Sequence, residues 1–182
     1  MFASGYFLNL HRCAKEFFIR KVSKLILPLY IWNLVYGLFA AILNNFFGFH
    51  LGEPLSLYNI FIAPVTDGHQ FIYNMASWFL IPLFLVQSIS FLILRPFADK
   101  KASCSPLYAM LFFMIAILLG SLAVHYAPEN NGARNLTLTL WRTLYFMPPF
   151  AFGILYRSQL EKYDTLNSPC YFFIILGLIS LL

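Results

Sequence analysis

The sequence predicts an all-α fold, a polytopic transmembrane helix bundle, and three observations carry that prediction. Hydrophobic residues make up 60% of the 182 and charged ones only 10%, with a mean hydropathy of +0.73. An ordinary soluble domain has about 25% charged residues. Four apolar runs approach the roughly 20 residues that cross a bilayer as a helix. Lys and Arg fall in alternate connections, the pattern of a chain threading back and forth. The formal net charge of +5 would point to nucleic acid in a soluble chain. Here the placement of the charges matters more than their sum, and no nucleic-acid partner is expected.

The first complete span is expected over residues 25–43, which contain no charge. The second is expected over 76–94, the third over 107–124 and the fourth over 140–156, with Arg142 near its start. Backbone N–H and C=O groups at membrane depth must pair within the segment, so each run should be helical. Residues 1–10 and 171–182 are apolar but only about half a span long. They are expected to be a partial helix at each end. No basic stretch precedes the first and no small-residue cleavage site follows it, so it does not read as a signal peptide. The plainest reading is one partial membrane domain over 1–182, the interior of a longer protein.

The connection 44–75 is long and holds Gly48, Gly52, Pro54, Pro64 and Gly68. Its apolar middle, 55–65, is too short to span, and is expected to lie at the interface or fold back over the bundle. Ten of the twelve Lys and Arg lie in the connections 9–24, 95–106 and 157–170. The positive-inside rule places those three in the cytoplasm. Cys13, Cys104 and Cys170 fall in the same connections and are expected to be reduced. None forms a CxxC pair, and no metal site is expected.

Arg20, Lys21 and Lys24 open the first complete span. On an α-helix Arg20 and Lys24 share a face at i,i+4, and Lys21 and Lys24 are neighbours at i,i+3. Three cations at the membrane surface suit a phosphorylated ligand through charge-assisted hydrogen bonds. The alternative is that they only anchor the helix end and set topology. Arg142 is either a functional charge at membrane depth or a snorkelling or structurally paired side chain. His11, His50, His69 and His125 are isolated, although Asp67 stands near His69; each reads most simply as a solvated loop side chain. Asn33, Gln87, Ser88 and Ser90 either line a polar cavity or hydrogen-bond between helices. Pro82, Pro148 and Pro149 are expected to bend their helices. Trp32, Trp78 and Trp141 sit near span ends, where indole rings favour the interface.

Several stretches taken in order resemble the membrane-bound acyltransferases of family 3, whose bacterial members O-acylate cell-surface sugars. Phe2-Ala3-Ser4-Gly5-Tyr6-Phe7 is similar to the end of that family's second helix. The run from Lys21 to Leu25, with Pro28, Tyr30 and Trp32, is similar to its RxxR-LL-x-P-aromatic entry to the third. Ser77-Trp78-Phe79-Leu80-Ile81-Pro82-Leu83-Phe84 resembles the start of its fourth helix, and the stretch from Phe146 through Pro148, Pro149 and Gly153 to Leu155 resembles its sixth. The resemblance spans nearly the whole chain and about half of the family domain. It implies a multi-pass enzyme of the cell membrane, in a bacterial inner membrane, with the lipid bilayer as its surroundings. It also implies transfer of an acyl group, most simply acetyl, from acyl-CoA to a sugar hydroxyl of a surface or lipid-linked glycan. Acyl-CoA is then a co-substrate, and no bound cofactor is expected. Arg20, Lys21 and Lys24 would bind the donor, while the catalytic residue is unknown here because the family histidine lies on a helix upstream. The family's paired arginines stand here as Lys21 and Lys24, which keep the charge but lose the planar fork that grips phosphate. A transporter or flippase-like protein without chemistry remains the alternative, since kinked helices and intramembrane polar residues fit it too; an inactive remnant is a third reading.

The charge bias generates a test of topology. An impermeant thiol reagent added outside intact cells should leave Cys13, Cys104 and Cys170 unlabelled and should reach Cys13 in inverted vesicles. Labelling of Cys13, Cys104 or Cys170 from outside contradicts the orientation.

Overall fold

The computed structural model describes residues 1–48, 54–66, 78–98, 104–126 and 136–164. Helix α1 is short, Phe2–Tyr6, and the chain after it buries Leu8 and Leu10. Helix α2, Ala14–Lys21, runs through a π-helical turn, Val22–Ile26, into α3, Leu27–Phe47. The basic stretch before the first span, expected as a loop, is therefore mostly helix. Phe17 anchors it, buried and stacked on Phe91 at 4.0 Å. The π turn has a cause in the sequence. Pro28 has no N–H to offer the Lys24 carbonyl, so the i→i−4 ladder cannot continue through that turn. The helix ends at Gly48, whose φ of 67° is the left-handed conformation of a C-terminal stop.

Of the two placements expected for 55–65, the structure shows the segment packed back on the bundle. Helices α4, Leu57–Phe61, and α5, Ala63–Thr66, pack between α3 and α8. The Ser56 hydroxyl accepts from the Asn59 N–H at 3.1 Å, which caps α4, and the buried Asn59 amide donates to the Pro54 carbonyl at 2.7 Å. The Tyr30 hydroxyl donates to the Phe61 carbonyl at 3.1 Å, and the Thr139 hydroxyl donates to that of Val65. These bonds supply side-chain partners to the ends of helices too short to complete their own ladders.

Helix α6, Leu80–Leu94, continues as a 3-10 turn, Arg95–Phe97. Pro82 sits in the first turn, where its missing N–H leaves no bond of the helix unmade. Helix α7 is Pro106–Tyr126, and α8 is Leu136–Leu155, with Pro148 and Pro149 inside it. A π turn, Tyr156–Leu160, and a 3-10 turn, Glu161–Tyr163, follow. Among the described residues three helices are long and apolar enough to cross a membrane: Ala14–Phe47, Leu80–Phe97 and Pro106–Tyr126. The fourth expected span is helical, but it is not one of these three. Arg142, the threonines and the paired prolines dilute its apolar character. The expected N-terminal partial helix is confined to Phe2–Tyr6, and 171–182 lie outside the described residues.

Helix α8 is nevertheless the hub, touching α1, α5, α6 and α7. Its approach to α1 is backbone on backbone. A Cβ on Gly5 would collide with the Phe150 carbonyl, and one on Gly153 with the carbonyl of Phe2. Gly120 of α7 likewise receives the ring of Pro148. Such contacts between small residues let helices associate where lipid gives no hydrophobic drive. The core below them contains Phe91, Ala109, Ala116, Met147, Phe150 and Ile154. Cys104 is buried as well, at 1% exposure, so its silence toward a thiol reagent reports packing rather than side of the membrane.

Gly5→Ala and Gly153→Ala should each destabilise the detergent-solubilised chain by about 1–3 kcal/mol, the usual cost of overpacking. Gly48→Ala, a strained conformation with open space around it, should cost only about 1 kcal/mol. Thermal denaturation of the three variants orders them; equal effects would remove the close crossing as the reason for the glycines.

Candidate functional site

The basic cluster is built where α2 becomes α3, against the end of α6. Arg20 is exposed and paired with Glu16 at 2.8 Å, one helical turn away. The Lys21 ammonium stands 5.5 Å from the centre of the Phe17 ring. Phe17 is stacked on Phe91 with an interplanar angle of 6°, and the Arg95 guanidinium stands 5.8 Å from the Phe91 ring. One stacked pair thus carries two cations, one from each of two basic segments. Arg12 and Lys24 lie near enough to act electrostatically on Lys21. Lys24 itself is exposed.

This arrangement alters the reading from spacing in two respects. Lys24 belongs to the π turn, where bonding runs i→i+5, so the i,i+3 alignment of Lys21 with Lys24 is opened. Arg95 joins the group although it is 71 positions beyond Lys24 in the chain. Its signal in the sequence was only that it opens the second basic connection; the Phe17–Phe91 stack that unites the two was not legible. Arg157 is occupied elsewhere. It donates to the carbonyls of Tyr6 and Leu8 at 3.2 and 3.0 Å, closing the end of α1.

Away from the surface, α6 carries the polar side chains. Gln87, Ser88 and Ser90 are buried at 3%, 7% and 0% exposure. The Gln87 Oε1 and both serine hydroxyls have no hydrogen-bond partner among the described residues. A buried polar group left unpaired costs about 1–3 kcal/mol, so three on one helix need a reason. Asn33 on α3 is fully buried too. Ser90 and Gln87 stand five and eight residues from Arg95. At about 1.5 Å per residue this places them about 7.5 and 12 Å along the helix. The π turn that holds Lys24 packs against the same helix.

The remaining candidates separate from this group. Arg142 stands over Trp78 at 5.1 Å, and Trp78 stacks on Phe146 at 5.5 Å, which makes Arg142 a structurally paired charge. Trp32 stacks on Tyr36 at 5.4 Å and is half exposed. His11 and His125 are exposed, while His50, His69 and Asp67 lie outside the described residues.

The fold is that of an all-α membrane-type helix bundle, with cations gathered at one end of α6 and polar side chains buried along it. The family assignment sharpens this. The family model of the acyltransferase domain, acyltransferase family 3, matches residues 1–182, and the chain belongs to that family. It is a membrane acyltransferase, a transferase of groups other than amino-acyl groups. No curated protein and no solved structure matches it.

The Glu16–Arg20 pair gives a direct test of the cluster's electrostatics. Glu16→Gln should change stability by less than about 0.5 kcal/mol, as for any exposed i,i+4 pair. It should also strengthen binding of inorganic pyrophosphate about twofold by releasing Arg20. Titration calorimetry measures the second effect; weaker binding in the variant would place Glu16 in the site as a positioning group.

Proposed function

We propose that this chain forms the donor-binding part of a membrane enzyme that moves an acetyl group from acetyl-CoA to a sugar hydroxyl of a surface or lipid-linked glycan. The observation that carries the reading is the junction of cations over unpartnered polar side chains. Arg20, Lys21 and Lys24, with Arg95 beside them, hold the phosphates of the donor at the end of the bundle that bears the basic connections. Charge-assisted hydrogen bonds to phosphate are about twice as strong as neutral ones. The acyl-bearing arm of coenzyme A carries amide groups, which need partners wherever they leave water. Ser90 and Gln87 offer such partners at successive depths on α6, and Ser88 adds a second hydroxyl.

In the transfer the acceptor hydroxyl oxygen attacks the thioester carbonyl carbon. The hydroxyl proton passes to a base, the carbon–sulfur bond breaks, and the base returns the proton to the leaving thiolate, so that coenzyme A departs as the thiol. A sugar hydroxyl is a poor nucleophile near neutral pH, so that base must be positioned in the site. A bacterial inner membrane, with the basic connections in the cytoplasm where acyl-CoA is made, fits the charge bias.

Loss of one charge-assisted hydrogen bond costs about 1.5–3 kcal/mol. Lys21→Gln and Lys24→Gln should therefore each weaken acetyl-CoA binding about ten- to a hundredfold at unchanged protein level. Lys21→Arg with Lys24→Arg should bind at least as well as the parent, because the guanidinium fork matches phosphate geometry. Unchanged affinity in both glutamine variants would leave the cluster as a topological anchor.

A further inference from the structure

The packing of α7 against α8 leaves a cavity of about 510 Å³. It opens beside the two internal prolines of α8, Pro148 and Pro149, and Gly120 and Ser121 line it from α7. In an α-helix each N–H donates to the carbonyl four residues back. Pro148 and Pro149 have no N–H, so the carbonyls of Leu144 and Tyr145 lose their donors at consecutive positions. The Leu144 carbonyl stands 3.7 Å from where a Cβ of Gly120 would lie, so the part of α7 that faces it has no side chain to offer. Tyr145 itself lines the cavity. Ser121 brings a hydroxyl to it, and that hydroxyl makes no hydrogen bond within the described residues.

The lining sets the chemistry of what fits. None of the described residues around the cavity is charged, and Ile117 and Val124 make the rest of its α7 side apolar. Ser121 stands 15 residues from Pro106, about 22.5 Å along α7. Pro106 marks the basic end, since Phe97, in the turn that Arg95 opens, stacks on Tyr108 at 4.0 Å. The cavity is therefore far from the cluster of Arg20, Lys21, Lys24 and Arg95. Helix α7 is long and apolar enough to cross a membrane, and Ile117, Ser121, Val124 and Tyr145 are exposed on the outside of the bundle. The mouth of the cavity thus faces lipid, where no water is at hand to serve a freed carbonyl. A carbonyl only accepts, whereas a hydroxyl both donates and accepts. One ligand hydroxyl can donate to the Tyr145 carbonyl, accept from Ser121 and need no countercharge.

We propose that this cavity holds the free hydroxyl of a neutral lipid whose chains lie along Ile117 and Val124, independently of the acyl-transfer reading. A lipid rather than a soluble alcohol is the occupant, because the mouth opens at apolar depth. The test uses the whole chain in detergent with two probes, 1,2-dioleoylglycerol and the same molecule acetylated at its free hydroxyl. They share both chains and differ in the one donor. In native mass spectrometry the free alcohol should bind at least about threefold more tightly, the worth of one neutral hydrogen bond. Excess coenzyme A should not displace it. Pro149→Ala returns an N–H to the Tyr145 carbonyl and removes a helix breaker, so it should raise the melting temperature while abolishing the preference for the free alcohol. The opposite signs separate loss of the site from loss of the fold. Ser121→Ala, at an exposed position, should weaken binding of the free alcohol about threefold. Equal binding of the two probes, a preference that survives both variants, or displacement by coenzyme A overturns the proposal.

Discussion

The close crossing of α1 and α8 is the contact on which the described bundle depends. Gly5 and Gly153 bring two backbones together, with no side chain between them. That approach sets the carbonyls of Tyr6 and Leu8 where Arg157 can reach them and lays Tyr6 alongside Tyr156 at 6.2 Å. From the same helix, Pro148 seats against Gly120 of α7 and Thr139 reaches the end of α5. A helix that lipid alone would hold poorly, because it carries Arg142 and two internal prolines, is held by its neighbours instead.

Around this hub the chain distributes its polar groups by depth. Cations collect at the junction of α2, the π turn and α6, while unpartnered oxygens of Gln87, Ser88 and Ser90 sit within the bundle. The stacked rings of Phe17 and Phe91 join the two levels, since they are packed in the core and carry Lys21 and Arg95 at their edge. In a bundle with an apolar exterior, orphaned polar atoms are retained against their cost when something other than the fold uses them.

Much of the fold was legible because its signals are local. Apolar length pointed to the helices found at Leu27–Phe47, Leu80–Leu94 and Pro106–Tyr126, and a piece too short to span pointed to an interfacial or folded-back segment at 55–65. The failures arise from contacts distant in sequence or from backbone chemistry that composition hides. Residues 9–24 read as a connection from their charges, with helical spacing considered only from Arg20 to Lys24, but Phe17 finds Phe91 and Ala14–Lys21 is helix. The i,i+3 geometry of Lys21 and Lys24 assumed an α-helix, and Pro28 makes the turn π-helical. For the site, Arg20, Lys21 and Lys24 were visible as a charge run, whereas Arg95 joins them only through an aromatic stack. The two prolines of α8 were legible as breaks in its ladder, but the cavity beside them was not, because Gly120 and Ser121 reach it from another helix.

The central claim is that the acyl donor lies along the junction of α2, the π turn and α6. Photocrosslinking reads this most directly. A CoA thioester with a photoreactive acyl group, irradiated with the membrane-embedded protein and mapped by peptide mass spectrometry, reports which segments line its path. The account predicts adducts on α6 near Gln87 and Ser90, suppressed by excess CoA and lost together with donor binding when Lys21 and Lys24 are neutralised. Adducts that CoA suppresses equally but that fall on the outward face of α7, or that persist at full yield without the two lysines, would contradict it.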